Sequence, residues 1–172
     1  MASQLPLHAK CFVPGTPAAK GSFKAFMPKG GHYPILKNDN ARTGPWQERI
    51  ALAVHEVWPH GLMRGGVSLS LYFTFTRPRG HYGTGRNAGK LKPSAPHNML
   101  KTPDVDKLER AVLDALKGVL YVDDKQVFRV RKLKRYGDYG EPPGVSIHIV
   151  ARPEPVTHAD LVHWGAKKED ES

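Results

Sequence analysis

Hydrophobic and polar residues alternate most regularly between residues 67 and 75. Every odd position of this segment is apolar, at Val67, Leu69, Leu71, Phe73 and Phe75. A period of two is typical of a strand that buries one face. The pattern therefore predicts a strand over this whole segment.

Shorter apolar runs predict three further strands. They lie at about 9–13, 126–136 and 145–151, and turn residues such as Gly137 and Pro142 separate the last two. Between the first strand and residue 43 the chain is basic and is predicted to form a loop. Its lysines are Lys20, Lys24, Lys29 and Lys37.

Two helices are predicted. The first covers about 46–58, because a Gly-Pro step precedes it and Pro59 and Gly61 follow it. The second follows residue 102, where apolar residues recur at steps of three and four and Gly118 supplies the C-cap; they are Leu108, Val112, Ala115, Leu116 and Val119. These elements predict an α+β, or mixed-sheet α/β, domain with about four strands and two main helices.

Composition limits the class of protein. With 172 residues, of which 40% are apolar, the chain can form one domain without disulfides. No apolar stretch approaches the roughly 20 residues that span a bilayer, and residues 1–10 lack a signal-peptide core. We therefore expect a soluble, cytoplasmic protein with no membrane partner. Cys11 is the only cysteine, which excludes an internal disulfide and favours a buried, unreactive thiol.

The formal net charge of +10 is unevenly distributed. Residues 151–172 contain three basic and five acidic residues, so the preceding 150 residues carry about +12. Residues 77–101 contain six basic residues and no acidic ones, which predicts a mobile basic loop. The six are Arg77, Arg79, Arg86, Lys90, Lys92 and Lys101. Such a segment favours a polyanion, bound through counterion release, although a basic surface can also serve solubility alone.

Two aspartate pairs stand out on this basic chain, and the first, Asp104 and Asp106, has two interpretations. If Thr102 caps the second helix and Pro103 is its first residue, both aspartates lie in the first turn, point apart and only complement the helix dipole. If the chain stays extended to Asp106, which then caps the helix with Glu109 in a capping box, both carboxylates project from one face. Hard oxygen ligands of that kind suit Mg²⁺ or Mn²⁺.

The second pair, Asp123 and Asp124, follows the second helix. A short apolar return over 119–122 could bring it back beside Asp104, whereas an ordinary turn would also favour aspartate. An EF-hand is excluded, because Glu109 and Ala115 stand where its glycine and glutamate belong.

Residues 103–118 and 123–127 resemble the RusA family of Holliday junction resolvases. The shared features are an Asp-x-Asp, a basic residue four positions on, an Asp-Ala-Leu helix end and an Asp-Asp-x-Gln-Val. Weaker similarity extends over about residues 8–151, which implies one RusA-like endonuclease domain. Residues 152–172 lie outside it and are expected to form a flexible tail.

The resemblance implies that Asp104, Asp106 and Asp124 bind a catalytic Mg²⁺, for which Mn²⁺ could substitute, with Asp123 as a helper. The family often has a lysine four residues after the second aspartate, and this chain has Arg110 there. It has Lys107 where asparagine is commonest. Either cation could stabilise the phosphorane, although arginine cannot donate a proton as lysine could; both could also be solvated helix residues, with Arg110 paired to Asp114.

The expected reaction is hydrolysis of a phosphodiester by metal-activated water, which leaves 5′-phosphate and 3′-hydroxyl ends. The substrate would be a four-way DNA junction, whose arms contact the basic segments 20–37 and 77–101 through phosphates. Symmetric nicks imply a homodimer, to which the strand at 67–75 and the helix at 46–58 could contribute. A broader nuclease of branched or duplex DNA and a non-catalytic nucleic-acid-binding protein remain as alternatives.

Overall fold

A computed structural model describes residues 7–21, 23–33, 35–38 and 40–153. The predicted tail falls outside these residues from residue 154 onward. No helix in the described part is long and apolar enough to cross a membrane.

The described chain contains six strands and two α-helices. They are β1 (Leu7–Pro14), β2 (Phe23–Phe26), β3 (Ile35–Asn38), α1 (Thr43–Val57), β4 (Val67–Phe75), α2 (Val105–Leu116), β5 (Val127–Tyr136) and β6 (Gly144–Ala151). The main sheet has the order β1-β6-β4-β5, in which only β4 and β5 are parallel. The prediction of an α+β domain with a mixed sheet of four strands and two main helices is confirmed.

Both α-helices share one core with one face of the main sheet. Leu69 and Leu71 of β4 are fully buried in that core together with Leu108 and Leu116 of α2. The helix α1 contacts β1 and α2, and α2 contacts β5. The stripe of apolar residues on α2 therefore fixes the helix against the sheet, as its spacing predicted.

The basic loop predicted between the first strand and the first helix contains structure that the sequence did not reveal. Residues Phe23–Phe26 and Ile35–Asn38 form a two-stranded antiparallel sheet. This hairpin forms a separate sheet of its own, so it leaves the arrangement of the main sheet unchanged.

The basic segment 77–101, predicted as a mobile loop, contains turns and backbone bridges that the sequence did not reveal. Two 3₁₀ turns, Arg79–His81 and Gly85–Asn87, fold it back on itself, and Tyr82 forms a β-bridge with Leu91. Further along, the amide of Tyr136 donates to the carbonyl of His97 at 3.0 Å. The segment is thus attached to the outer side of β5.

Candidate active site

Asp104 lies at the N-terminus of α2, where its backbone is extended and it forms the N-cap. Its carboxylate is exposed and does not cap the helix with a hydrogen bond. Instead, Oδ2 lies 3.4 Å from Nζ of Lys107, one turn along the helix. The carboxylate therefore faces solvent beside a cation, where a further ligand could reach it.

Asp106 lies in the first turn of α2 and is exposed. Neither sequence interpretation of this segment is correct as a whole. The helix begins at Val105 rather than at Pro103, which overturns the first, and Asp106 does not cap it, which overturns the second. Glu109 forms an ion pair with Lys132 of β5 instead of a capping box.

Asp123 and Asp124 lie in a tight turn that Gln126 holds in place. The side chain of Asp123 accepts from the amide of Lys125, and Oε1 of Gln126 accepts from the amide of Asp123. The amide group of Gln126 also donates to the carbonyl oxygens of Met63 and Gly65, at 2.7 and 3.2 Å. This double capping fixes the turn that presents the exposed carboxylate of Asp124.

The turn lies beside the C-terminal end of α2. Oδ2 of Asp123 is 3.6 Å from Nζ of Lys117. The pKa of Asp123 is held below its ordinary value mainly by the hydrogen bond from the amide of Lys125, and to a smaller extent by the charge of Lys117. The hydroxyl of Tyr121 donates to the carbonyl of Leu113 at 2.8 Å. Burial, and then the charge of Asp124, raises the pKa of Tyr121, so this phenol stays neutral.

The two aspartate pairs therefore stand at opposite ends of α2, a helix of 12 residues and so about 18 Å long. The sequence suggested that a return over residues 119–122 could bring the second pair beside Asp104. Instead, the second pair lies beside Lys117 at the other end of the helix. Among the residues that the structure describes, no three His, Cys, Asp or Glu side chains are grouped to hold a metal ion. One chain thus supplies the carboxylates but does not gather them.

The cations expected near the metal have different environments. Lys107 pairs with Asp104, whereas Arg110 is exposed. The expected pairing of Arg110 with Asp114 is replaced by an ion pair between Asp114 and Lys20, at 2.5 Å. The amide of Lys20 also donates to the carbonyl of Lys107 at 3.0 Å. Lys20, predicted to contact DNA, therefore attaches the chain after β1 to α2.

Two lysines of β5 that the sequence reasoning missed support the N-terminal end of α2. Lys134 donates to the carbonyl oxygens of Lys101 and Pro103, both at 2.7 Å, and Lys132 pairs with Glu109. The signal was present in the sequence: with the strand's period of two, Lys132 and Lys134 share the face of Val130 and Tyr136. Lysines on a core-facing side require partners.

Arg77, which the sequence assigned to DNA binding, is buried. Its guanidinium donates to the carbonyl oxygens of Gly137 and Pro96, at 3.1 and 2.7 Å, and lies over the ring of Tyr136. It joins the end of β4 to the turn after β5. The other basic residues of the segment remain exposed candidates for DNA contact, namely Arg79, Arg86, Lys90, Lys92 and Lys101. Lys24 lies in β2, and its side chain is outside the description.

Cys11 is half-buried against the core. Burial raises the pKa of its thiol to about 11. An unreactive thiol, as predicted, is consistent with this environment.

The chain combines a small mixed-sheet domain, a formal net charge of +10 and an aspartate pair at each end of one helix, which are features expected of a protein that acts on nucleic acid. Comparison with known families makes this specific: residues 14–150 match the family described as "Endodeoxyribonuclease RusA". The chain belongs to this family, and membership assigns it endodeoxyribonuclease activity. It is also 28% identical over 143 residues to the uncharacterized protein YqaN of Bacillus subtilis (strain 168), covering 81% of this chain and 94% of that protein.

Proposed function

We propose that this protein is a Mg²⁺-dependent endodeoxyribonuclease that resolves Holliday junctions by paired symmetric nicks in DNA recombination and repair. The observation that carries the proposal is the family match, which spans both aspartate pairs. The exposure of Asp104, Asp106 and Asp124 supports it, because a ligand must reach the carboxylates that bind a metal.

The donor set fits a divalent cation, since carboxylate oxygens are the preferred ligands of Mg²⁺ and Mn²⁺. Asp104, Asp106 and Asp124 would hold the ion, and Asp123, already engaged with Lys117 and Lys125, would stay in a supporting role. When bound, the metal supplies Lewis acidity and an activated water. Lys107 is the cation best placed to stabilise developing negative charge, because it already lies beside Asp104.

A second copy of the chain would complete this metal site. Each copy presents one aspartate pair at each end of α2, so a two-fold axis can bring the first pair of one subunit to the second pair of the other. The dimer would then contain two identical sites. Two symmetric nicks in a junction require two such sites.

The outer edge of β5 is the surface through which the two copies would contact each other. Residues 97–99 cover only the last three residues of β5 on that side, so the part from 127 to 133 has no strand beyond it within the described chain. Large apolar side chains surround this edge and are exposed; they are Leu100, Val122, Phe128 and Leu133. An unpaired, apolar strand edge is a template for another strand.

Antiparallel pairing of residues 127–133 with themselves, about an axis near Val130, would have a direct consequence for the site. The turn with Asp123 and Asp124, which precedes β5, would abut the segment 97–103 of the second copy. That segment leads into Asp104. β4 lies inside the sheet between β6 and β5, so this edge pairing does not use it, and its contribution to the interface stays a prediction.

Cleavage of a synthetic immobile junction tests the function. The wild-type chain should cut the junction with Mg²⁺ and leave a linear duplex of the same sequence intact. Asp104→Asn and Asp124→Asn should bind the junction without cutting it, whereas Asp138→Asn, a change at an exposed aspartate outside the site, should cut normally. Equal cutting of the duplex would identify a broader nuclease, and binding without Mg²⁺-dependent cutting by the wild type would contradict the proposed activity.

A further inference from the structure

The face of the main sheet that lies opposite α1 and α2 carries a regular arrangement of side chains. Strand register places Lys10, His148, Ser70 and Arg131 in one row across β1, β6, β4 and β5. The next row contains His8, Val150, Ser68 and Arg129 in the same order. In both rows basic residues occupy the two outer strands, and small or uncharged residues occupy most of the middle.

A third row on the same face is apolar. Phe12 and Tyr72 both pair with Ser146, and Tyr72 pairs with Leu133, so the four residues lie in line across the sheet. Phe12, Tyr72 and Leu133 are 42, 37 and 41% exposed, which is high for large apolar side chains on a sheet. The ring of Tyr72 packs edge-on against that of His148 at 5.3 Å, which links this row to the basic one.

These three rows contain no acidic residue, although the chain has 16. Beyond the apolar row, Arg135 of β5 forms an ion pair with Glu141. Lys10 and Arg131 stand about 14 Å apart across three strand spacings. Cations on the two outer strands, with the exposed rings of Phe12 and Tyr72 in the adjacent row, complement a phosphate backbone and the faces of bases.

We propose that this open sheet face binds a DNA strand whose bases are unpaired, with the phosphates on Lys10, Arg129 and Arg131 and bases stacked on Tyr72 and Phe12. An unpaired strand fits better than a duplex, because a duplex hides the faces of its bases except at ends and branch points. The surface is separate from the aspartate pairs, which lie at the two ends of α2 on the opposite side of the sheet. The proposal depends on the proposed function for the class of ligand, DNA, and does not depend on the metal.

Binding of fluorescein-labelled oligothymidine and of a labelled four-way junction, measured by anisotropy in EDTA, tests the proposal. The full chain carries Asp104→Asn in every sample, so that cleavage cannot interfere. Lys10→Glu and Arg131→Glu should each weaken oligothymidine binding about tenfold. Each should also reduce the slope of log affinity against log salt concentration by the amount that corresponds to about one phosphate contact. Arg42→Glu, an equal charge change at the exposed N-terminus of α1, should change it less than twofold.

A second pair of variants tests stacking. Tyr72→Ala should weaken oligothymidine binding about tenfold, and Tyr72→Phe should bind within twofold of the parent. Lys10 lies on the strand farthest from β5, so its variant examines the face without touching the proposed contact between subunits.

Affinities of the Lys10 and Tyr72 variants equal to that of Arg42→Glu would overturn the proposal. A change in sedimentation of Tyr72→Ala to a smaller species would also overturn it, because the face would then bury a second copy of the chain. A wild-type chain that binds oligothymidine but never cuts a junction would remove the proposed function and leave this surface standing.

Discussion

The Nζ atom of Lys134 donates a hydrogen bond of 2.7 Å to the carbonyl oxygen of Pro103. It donates a second, equally short, to the carbonyl of Lys101. Lys134 belongs to β5 and Pro103 directly precedes Asp104, so the sheet holds the backbone from which the first proposed metal ligand projects. The position of Asp104 is therefore set by a strand that follows it in the chain by more than 20 residues.

Lys134→Met should slow junction cleavage about tenfold or more while leaving junction affinity nearly unchanged. The reason is geometric: a ligand displaced by about 1 Å can cost two orders of magnitude in rate. Single-turnover cleavage and anisotropy separate the two quantities. Lys132→Met is the matched control, because Lys132 holds the side chain of Glu109 rather than the backbone before Asp104; an equal loss in both variants would argue against positioning through Pro103.

Arg77→Met should lower the free energy of unfolding by about 2 kcal/mol, because it removes two hydrogen bonds from a buried guanidinium to carbonyl oxygens. Arg79→Met, at the exposed neighbour, should change it by less than about 0.5 kcal/mol. Chemical denaturation measures both. If Arg77→Met were as stable as Arg79→Met but bound DNA more weakly, Arg77 would be a DNA-contacting residue after all.

The ion pair between Arg135 and Glu141 should make stability depend on pH at the acid end. Hydrogen bonding to Arg135 holds the pKa of Glu141 below its ordinary value of 4.5. A lowered pKa in the folded state stabilises the protein fully above the ordinary value and progressively less as the pH falls through the lowered one.

Glu141→Gln should therefore be less stable than the wild type at pH 7, by about 1 kcal/mol or less because the pair is partly exposed. The difference should shrink as the pH falls below 4.5. Urea unfolding at several pH values measures it, with Glu56→Gln on the exposed side of α1 as control. A difference that stays constant down to the lowest pH would mean that charge at residue 141 is not its cause.

Phe128→Asp should convert the proposed dimer to a folded monomer and abolish cleavage. The side chain of Phe128 is 67% exposed at the unpaired edge of β5, where a carboxylate would be desolvated by a second strand. Sedimentation velocity gives the assembly state, and circular dichroism confirms the fold. Leu62→Asp, at another exposed apolar position, should remain dimeric; a dimeric, active Phe128→Asp would place the interface elsewhere.

The sequence predicted those parts of the fold that depend on local periodicity. Alternation fixed the bounds of β4, and the apolar stripe with Gly118 located α2 to within a residue or two of its end. The hairpin of β2 and β3 was not predicted, because Lys24 and Lys37 interrupt its short strands and suggest a loop. The turns within 77–101 were not predicted either, because they depend on contacts such as that of Tyr82 with Leu91, which composition does not encode.

The residues of the candidate site could be proposed from the sequence, but their arrangement could not. The positions of Asp104 and Asp124 follow from a recognisable motif. Their separation by the length of α2 follows from the contacts of Lys117 with Asp123 and of Lys134 with Pro103. The second contact joins residues that are 31 apart in the chain, and no local pattern around the aspartates distinguishes a return beside Asp104 from a turn at the far end of the helix.

Mixed dimers of two inactive variants test the central claim, that a metal site joins aspartates from two subunits. Asp104→Asn and Asp124→Asn chains with different affinity tags are co-expressed, and the heterodimer is isolated by both tags and assayed for nicking of a junction with Mg²⁺. A shared site leaves one of the two sites of this heterodimer with both aspartates, so it should nick one strand although each homodimer is inactive. A heterodimer as inactive as both homodimers would show that each site takes its aspartates from one chain, and would contradict the account.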